Sequence, residues 1–243
     1  MKINREIYIN STIGSSRAAI LENKILADLY IDFPDHKKMV GNIYKGKVQN
    51  VLPGMQAAFV DIGYSINAFL PFTEISGSGI DNLNNVSFEI EDQKNNGKQD
   101  KKTNLEIGDD VMVQVIKEPF LGKGPRVTMD ISLAGNLIVL VPNQNYIGIS
   151  KKINDKYERK RLKNLINNFR DKKFGVIVRT VSSSKETKII KSDYNELLNE
   201  WKNIDSKFKS NDSCLEIYND YNFTKIISRD LFSDSINKIY IDN

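Results

Sequence analysis

The chain has 243 residues, 40% of them hydrophobic and 27% charged, which suits one large domain or about two to three small ones with packed cores. A net charge of +4 excludes a polycation, so any basic function must come from local concentration of charge. The single cysteine, Cys214, excludes an internal disulfide framework and argues against a cysteine zinc cluster within the chain.

The opening residues, MKINREIYIN, lack the roughly 7–15-residue apolar core of a signal peptide. No apolar run approaches the ~20 residues of a membrane span. Both observations point to a cytoplasmic protein, and the cysteine usage fits a reducing compartment.

In chain order, REIYIN, RAAILEN and ILADLYIDF alternate as strands, with a turn at Glu22-Asn23-Lys24 and a break at Pro34-Asp35. These strands carry too little apolar surface to stand alone, so they are expected to pair with something distant in sequence. Residues 43–75 supply three more: IYKGKVQNVL, ended by Pro53-Gly54, then QAAFVDIG, then NAFLPFTEI. Short strands, a glycine inside the first and close turns suggest a five-stranded OB-type β-barrel.

From 76 to 104 the pattern dissolves into polar, Asn-rich sequence, read as a disordered insert. The barrel resumes with VMVQVIK, the loop FLGKGPR and the strand RVTMDISL. Beyond it, NLIVLVP and YIGIS precede a helix expected from about Asn154 to Arg170, with Tyr157, Leu162, Leu165, Ile166 and Phe169 on one face. Then come the strand FGVIVRT, a second helix from near Lys185 past Trp201, the strand CLEIYND, a helical piece TKIISRDLF and the strand KIYID.

Charge is uneven. Between Lys151 and Lys173 ten Lys and Arg face three acids, a local charge of +7 that leaves −3 for the rest. Such a run is either a solvated helix face or a footprint for a phosphate backbone.

Six blocks in order then resemble one family. They are NIYKGKVQNVLPGMQAAFVDIG with NAFLPFTEI, GDDVMVQVIKEPFLGKGPRVTMDISLAG, YIGIS, VIVRT and KIYIDN. Together they are similar to the ribonuclease E/G family of bacterial single-strand-specific endoribonucleases. The resemblance implies an α+β multidomain fold: a five-stranded OB-type barrel inserted, with an α/β sensor region, into a split ribonuclease-H-like sheet domain. Its parts would be 1–35 plus 214–243 for the split domain, 36–127 for an S-one-type RNA-binding barrel with its insert, and 128–213 for a five-prime sensor.

The resemblance places Phe59 and Phe69 on the barrel's RNA-binding face, where phenyl rings stack bases without reading sequence. Their apolar neighbours leave a core role open. Lys45 and Lys47, two apart in a strand, share a side and either hold phosphates or are solvated. Lys123, in FLGKGPR, is marked by the resemblance as an RNA contact, and Lys117 is a weaker candidate.

Arg179-Thr180 matches the family's monophosphate-reading pair, a planar guanidinium with a hydroxyl beside it. The backbone of Gly135 and Val139 would complete that pocket. The alternative is a strand-end arginine in a salt bridge. The loop after the pair reads VSSSKET where the family often has Ala and Gly. There Ser182–Ser184 could still donate hydrogen bonds, but the sequence does not supply the pocket's usual outer wall.

The family's cleavage uses magnesium held by a further domain downstream, followed by a zinc link and a dimerising domain. No catalytic residue, cofactor or metal ligand is assigned to this chain. His36 sits in a polar turn, and the pairs Asp109-Asp110 and Asp230/Asp234 are weak metal evidence. The expectation is a monomeric RNA-binding and end-sensing half of an endoribonuclease that binds single-stranded RNA, preferably with a five-prime monophosphate, but does not cut it alone. A free-standing RNA-binding module and a protein–protein adaptor on an OB scaffold are the other readings.

Overall fold

The computed structural model describes residues 4–33, 38–75, 88–90, 105–210, 212–220 and 236–242. They fall into two compact units, one within Met1–Lys38 and Tyr221–Asn243 and the other spanning Met39–Asp220. His36, Asp230, Asp234 and the segment TKIISRDLF lie outside the described residues.

In the first unit, β1 (Arg5–Thr12), β2 (Ser15–Glu22) and β3 (Ile25–Asp32) form an antiparallel meander. The turn between β2 and β3 puts Asn23 and Lys24 at φ 52 and 69, the left-handed pair a two-residue hairpin needs. The distant partner expected from sequence is β15 (Ile236–Ile241), which lies parallel to β1. Tyr8 faces Tyr240 across that ladder and the rings stack with centroids 4.5 Å apart. Ile7, Ala18 and Ile20 make a small core on the other face.

The second unit opens with a closed barrel. Its strands are β4 (Ile43–Leu52), β5 (Ala57–Asp61), β6 (Ala68–Pro71), β8 (Asp110–Lys117) and β9 (Arg126–Thr128). They are ordered β4-β5-β6-β9-β8, and β8 returns to β4. β6 and β9 run parallel and the other pairs antiparallel, the arrangement of a five-stranded OB-type barrel. Alternate residues point inward: Val48, Ala58, Val60, Ala68, Leu70, Val111, Val113, Val115 and Val127 form its core. Gly46 allows the tight coil of β4, because a Cβ there would meet Val60 Cγ1 at 2.4 Å.

A second sheet follows in the same unit. It comprises β7 (Phe88–Ile90), β10 (Leu133–Ala134), β11 (Ile138–Pro142), β12 (Ile147–Ser150) and β13 (Phe174–Val178), ordered β10-β11-β13-β12-β7. Two helices, α1 (Lys156–Phe169) and α2 (Thr187–Ser210), cover one face. α1 starts where the Asp155 side chain accepts the Tyr157 N–H at 2.9 Å. Ile138, Leu140, Val176 and Val178 meet Leu162, Ile166, Ile190, Tyr194 and Leu197. Ile43 of β4 and Ile217 of β14 (Leu215–Tyr218) enter the same core, which joins the barrel to the sheet.

Three expectations need correcting. β7 falls inside the insert read as disorder, yet it hydrogen-bonds to β12; the rest of 76–104 lies outside the described residues. β14 pairs with β4, so residues from Cys214 to Asp220 belong with the barrel rather than with the split sheet. Tyr157, expected on the core face of α1, is 87% exposed, because the buried face of that helix begins only at Leu162 and its first turn contributes no buried residue.

Leu70 is fully buried in the barrel. Leu70→Ala is expected to destabilise the fold by about 2–5 kcal/mol in urea unfolding. A loss below about 1 kcal/mol would contradict its place in the core.

Candidate nucleic-acid interface

The wall of the barrel is built by alternation. Ala58, Val60, Ala68 and Leu70 point in, so Phe59 and Phe69 between them must point out. Both are half-buried. They sit opposite each other in the β5–β6 register, with centroids 5.9 Å apart in an edge-on arrangement.

Register extends this pair into a stripe across the barrel. Asn50 on β4 pairs with Phe59, Phe69 pairs with Arg126 on β9, and Arg126 pairs with Lys117 on β8. Polar and cationic groups therefore flank two rings. Arg126 was not singled out in the sequence; its position before the alternating run of β9 is the signal that would have found it. Its guanidinium donates to the buried Glu74 carboxylate at 3.1 Å, which fixes it beside Phe69.

Lys123 is exposed on a tight loop, bridged through its backbone to Phe120. Gly124 brings that loop onto β6, since a Cβ there would lie 2.0 Å from the Asn67 carbonyl oxygen. The N–H of Phe69 then bonds to the Pro125 carbonyl at 2.8 Å. Lys123 and Phe69 are thus held as neighbours by backbone contacts.

Lys45 and Lys47 share a side, as expected, and both reach Asp110, Lys47 at 3.8 Å, but they differ in exposure. Lys47 is half-exposed, opposite Asp61 on one side and Asp110 on the other. Lys45 is 9% exposed: its Nζ lies 3.4 Å from Asp110 Oδ2 and 5.1 Å from the Phe208 ring centroid. It joins the barrel to α2 instead of meeting solvent, a correction to both readings made of it from sequence. A hydrogen bond from Ser213, and then Lys45, hold the Asp110 carboxyl below its ordinary range.

The second cluster forms at the end of β13. Arg179 Nη1 donates to the Gly135 carbonyl at 2.7 Å, and its backbone N–H donates to Leu137 O at 2.9 Å. Thr180 is exposed, its hydroxyl 2.9 Å from that of Ser150. Val139 pairs with Ile177, two residues before Arg179 on the same sheet face. Of the four residues singled out from sequence, Gly135 and Arg179 are brought into contact, while Val139 lies one pair further along the sheet and Thr180 turns toward Ser150 on β12.

The serines that follow face elsewhere. The buried Ser182 hydroxyl donates to Leu137 O, and the Ser184 N–H donates to Glu158 at 2.8 Å. Those two donors are engaged within the protein.

The basic run is partly consumed by structure. Arg159 Nη1 caps the Ser150 and Ile153 carbonyls at 3.0 and 3.3 Å, and Arg170 donates to Phe174 O at 3.0 Å. Arg161 forks onto Glu158 with two bonds of 2.7 Å. Lys151, Lys152, Lys156 and Lys160 remain exposed.

The hydrogen bond from Arg161, aided by the Ser184 N–H, lowers the Glu158 carboxyl to about 2. A carboxylate depressed by folding stabilises the folded state above its ordinary value of 4.5, and that contribution disappears as pH falls through about 2. Glu158→Gln should therefore lower the melting temperature at neutral pH and shrink the gap to the parent protein as pH drops through that window. A gap constant with pH would contradict the pairing.

Comparison with known proteins fits this geometry. Residues 132–243 match the ribonuclease E/G family, and residues 37–118 match the S1 RNA binding domain. Ribonuclease G of Escherichia coli strain K12 is 32% identical over 238 residues, covering 98% of this chain and 47% of that protein. Ribonuclease G of Haemophilus influenzae is 35% identical over 242 residues, with the same coverage. Ribonuclease E of Buchnera aphidicola from Acyrthosiphon pisum is 33% identical over 245 residues, 26% of its length. The chain spans about half the length of the ribonuclease G relatives it matches. Among the described residues, no helix is long and apolar enough to cross a membrane.

Proposed function

We propose that the chain, whose residues 132–243 match the ribonuclease E/G family and residues 37–118 the S1 RNA binding domain, is a member of that family, binds single-stranded RNA on the barrel wall and reads a five-prime monophosphate at Arg179-Thr180. The observation that carries the first half is the stripe Asn50–Phe59–Phe69–Arg126–Lys117. Rings offer successive bases a π-face, while Arg126, Lys117 and Lys123 supply cations for the backbone. Stacking tolerates every base, which suits a binder of single strands without a fixed sequence.

The second half rests on the Arg179 guanidinium bonded to the Gly135 carbonyl, with Thr180 next in sequence. Arg179 is held by the Gly135 carbonyl, and its planar fork matches a phosphate. Thr180 adds a hydroxyl at the solvent edge. A terminal monophosphate has the charge and size for such a corner. The split sheet of the first unit is, in this reading, part of a ribonuclease-H-like domain, and the protein works in cytoplasmic RNA processing as a monomer.

Cleavage in the family is taken to need magnesium. Among the described residues no three His, Cys, Asp or Glu side chains converge as ligands. The residues of this chain bind and orient RNA, and the whole protein would be a single-strand-specific endoribonuclease.

Binding of a short single-stranded oligoribonucleotide should weaken by about 0.7 log units per tenfold salt for each phosphate contacted. Phe59→Ala should cost ~1–3 kcal/mol of binding free energy while urea unfolding stays cooperative. A flat salt response, or collapse of the fold on Phe59→Ala, would refute the wall as the RNA surface. Arg179→Ala should abolish any preference for a five-prime monophosphate over a five-prime hydroxyl. A preference that survives the change would place end recognition elsewhere.

A further inference from the structure

Behind the Arg179 corner sits a buried acid that has no part in the reading so far. Asp193 lies in the second turn of α2 and is 8% exposed. Its carboxylate accepts three consecutive backbone N–H groups, Asn136 at 3.1 Å, Leu137 at 2.8 Å and Ile138 at 3.0 Å. Three successive amides that converge in this way form an anion-binding concavity. Here an internal carboxylate fills it.

The same turn supports the guanidinium. Gly135 O accepts Arg179 Nη1 at 2.7 Å, and Leu137 O accepts the Arg179 backbone N–H at 2.9 Å. Thus the residues that Asp193 grips by their N–H groups are those whose neighbouring carbonyls aim Arg179. Packing leaves no slack between them: a Cβ on Gly135 would lie 2.7 and 2.9 Å from the two Asp193 carboxylate oxygens. Glycine at 135 is what lets the turn close onto the acid.

We propose that Asp193 is a positioning residue of the phosphate corner: by occupying the amide concavity of residues 136–138 it presets the turn whose carbonyls orient the Arg179 guanidinium toward a terminal phosphate. This rests on the reading of Arg179-Thr180 as the phosphate reader. Two consequences follow from the chemistry. The concavity, being filled from within, is closed to the incoming phosphate, which must bind on the guanidinium and hydroxyl side. And Asn is not an adequate replacement, because its single carbonyl oxygen accepts while its NH₂ group opposes donors where two acceptor oxygens stood.

The test measures, on the full chain, the affinities of one oligoribonucleotide carrying either a five-prime monophosphate or a five-prime hydroxyl. The parent protein should prefer the monophosphate. Asp193→Asn should cut the ratio of the two affinities at least fivefold without any change at Arg179 itself. Gly135→Ala, which drives a methyl at the same carboxylate, should cut it likewise and guards against loss of fold in the first variant. Amide NMR shifts at Asn136, Leu137 and Ile138 should move in both variants.

If Asp193→Asn and Gly135→Ala weaken both oligonucleotides equally, or change only melting temperature, Asp193 is merely structural and the inference falls while end recognition stands. If the parent shows no preference to begin with, the phosphate reading itself falls and takes the inference with it.

Discussion

Closure of the β4–β8 ladder governs what this barrel can show to solvent. Once the sheet meets itself, the inward positions of β5 and β6 are filled by Ala58, Val60, Ala68 and Leu70, and neither Phe59 nor Phe69 takes part in that core. Phe59 and Phe69 are forced outward, side by side. Burying a Phe side chain fully is worth about 1.5–3 kcal/mol, and half-burial forgoes part of it at two adjacent positions. A wall that keeps rings there, with Arg126 and Lys117 next in register, has the composition of a stacking platform.

The cations divide into two populations. One is structural: Lys45 under Phe208, Arg159 over the carbonyls before α1, Arg161 on Glu158, and Arg170 on Phe174. Lys45 ties β4 to α2, Arg159 and Arg170 tie α1 to the sheet carbonyls beside it, and Arg161 pairs within α1, which explains why a run of +7 overstates the charge available to a ligand. The other lies at the surface: Lys117, Lys123 and the lysines of 151, 152, 156 and 160. Long-range electrostatic attraction to a phosphate backbone draws on this second population, with Arg126, paired to Glu74, set beside the rings.

Much of this was legible in sequence where the signal is local. Alternation placed the strands around Phe59 and Phe69, and helical spacing placed Leu162, Leu165 and Ile166 on the buried face of α1. The resemblance grouped Gly135 and Arg179, forty-four residues apart, as the 2.7 Å bond between them does. What failed was tertiary. Nothing in the period of IYKGKVQNVL tells that α2 and β14 will cover Lys45 but leave Lys47 half-open. Nor does the polar composition of 76–104 reveal that Phe88–Ile90 completes a sheet edge against β12. Asp193 was invisible for the same reason: an acid in an amphipathic helix reads as solvated until the turn at 136–138 closes around it.

The central claim is that the outer barrel wall, not the basic helix, is where an RNA strand lies. Aromatic NMR of the full chain, titrated with a single-stranded oligoribonucleotide, tests it most directly. The account predicts that the ring protons of Phe59 and Phe69 shift upfield together on saturation, with the Lys123 amide following the same isotherm. Rings that stay unmoved while only α1 resonances respond would contradict it.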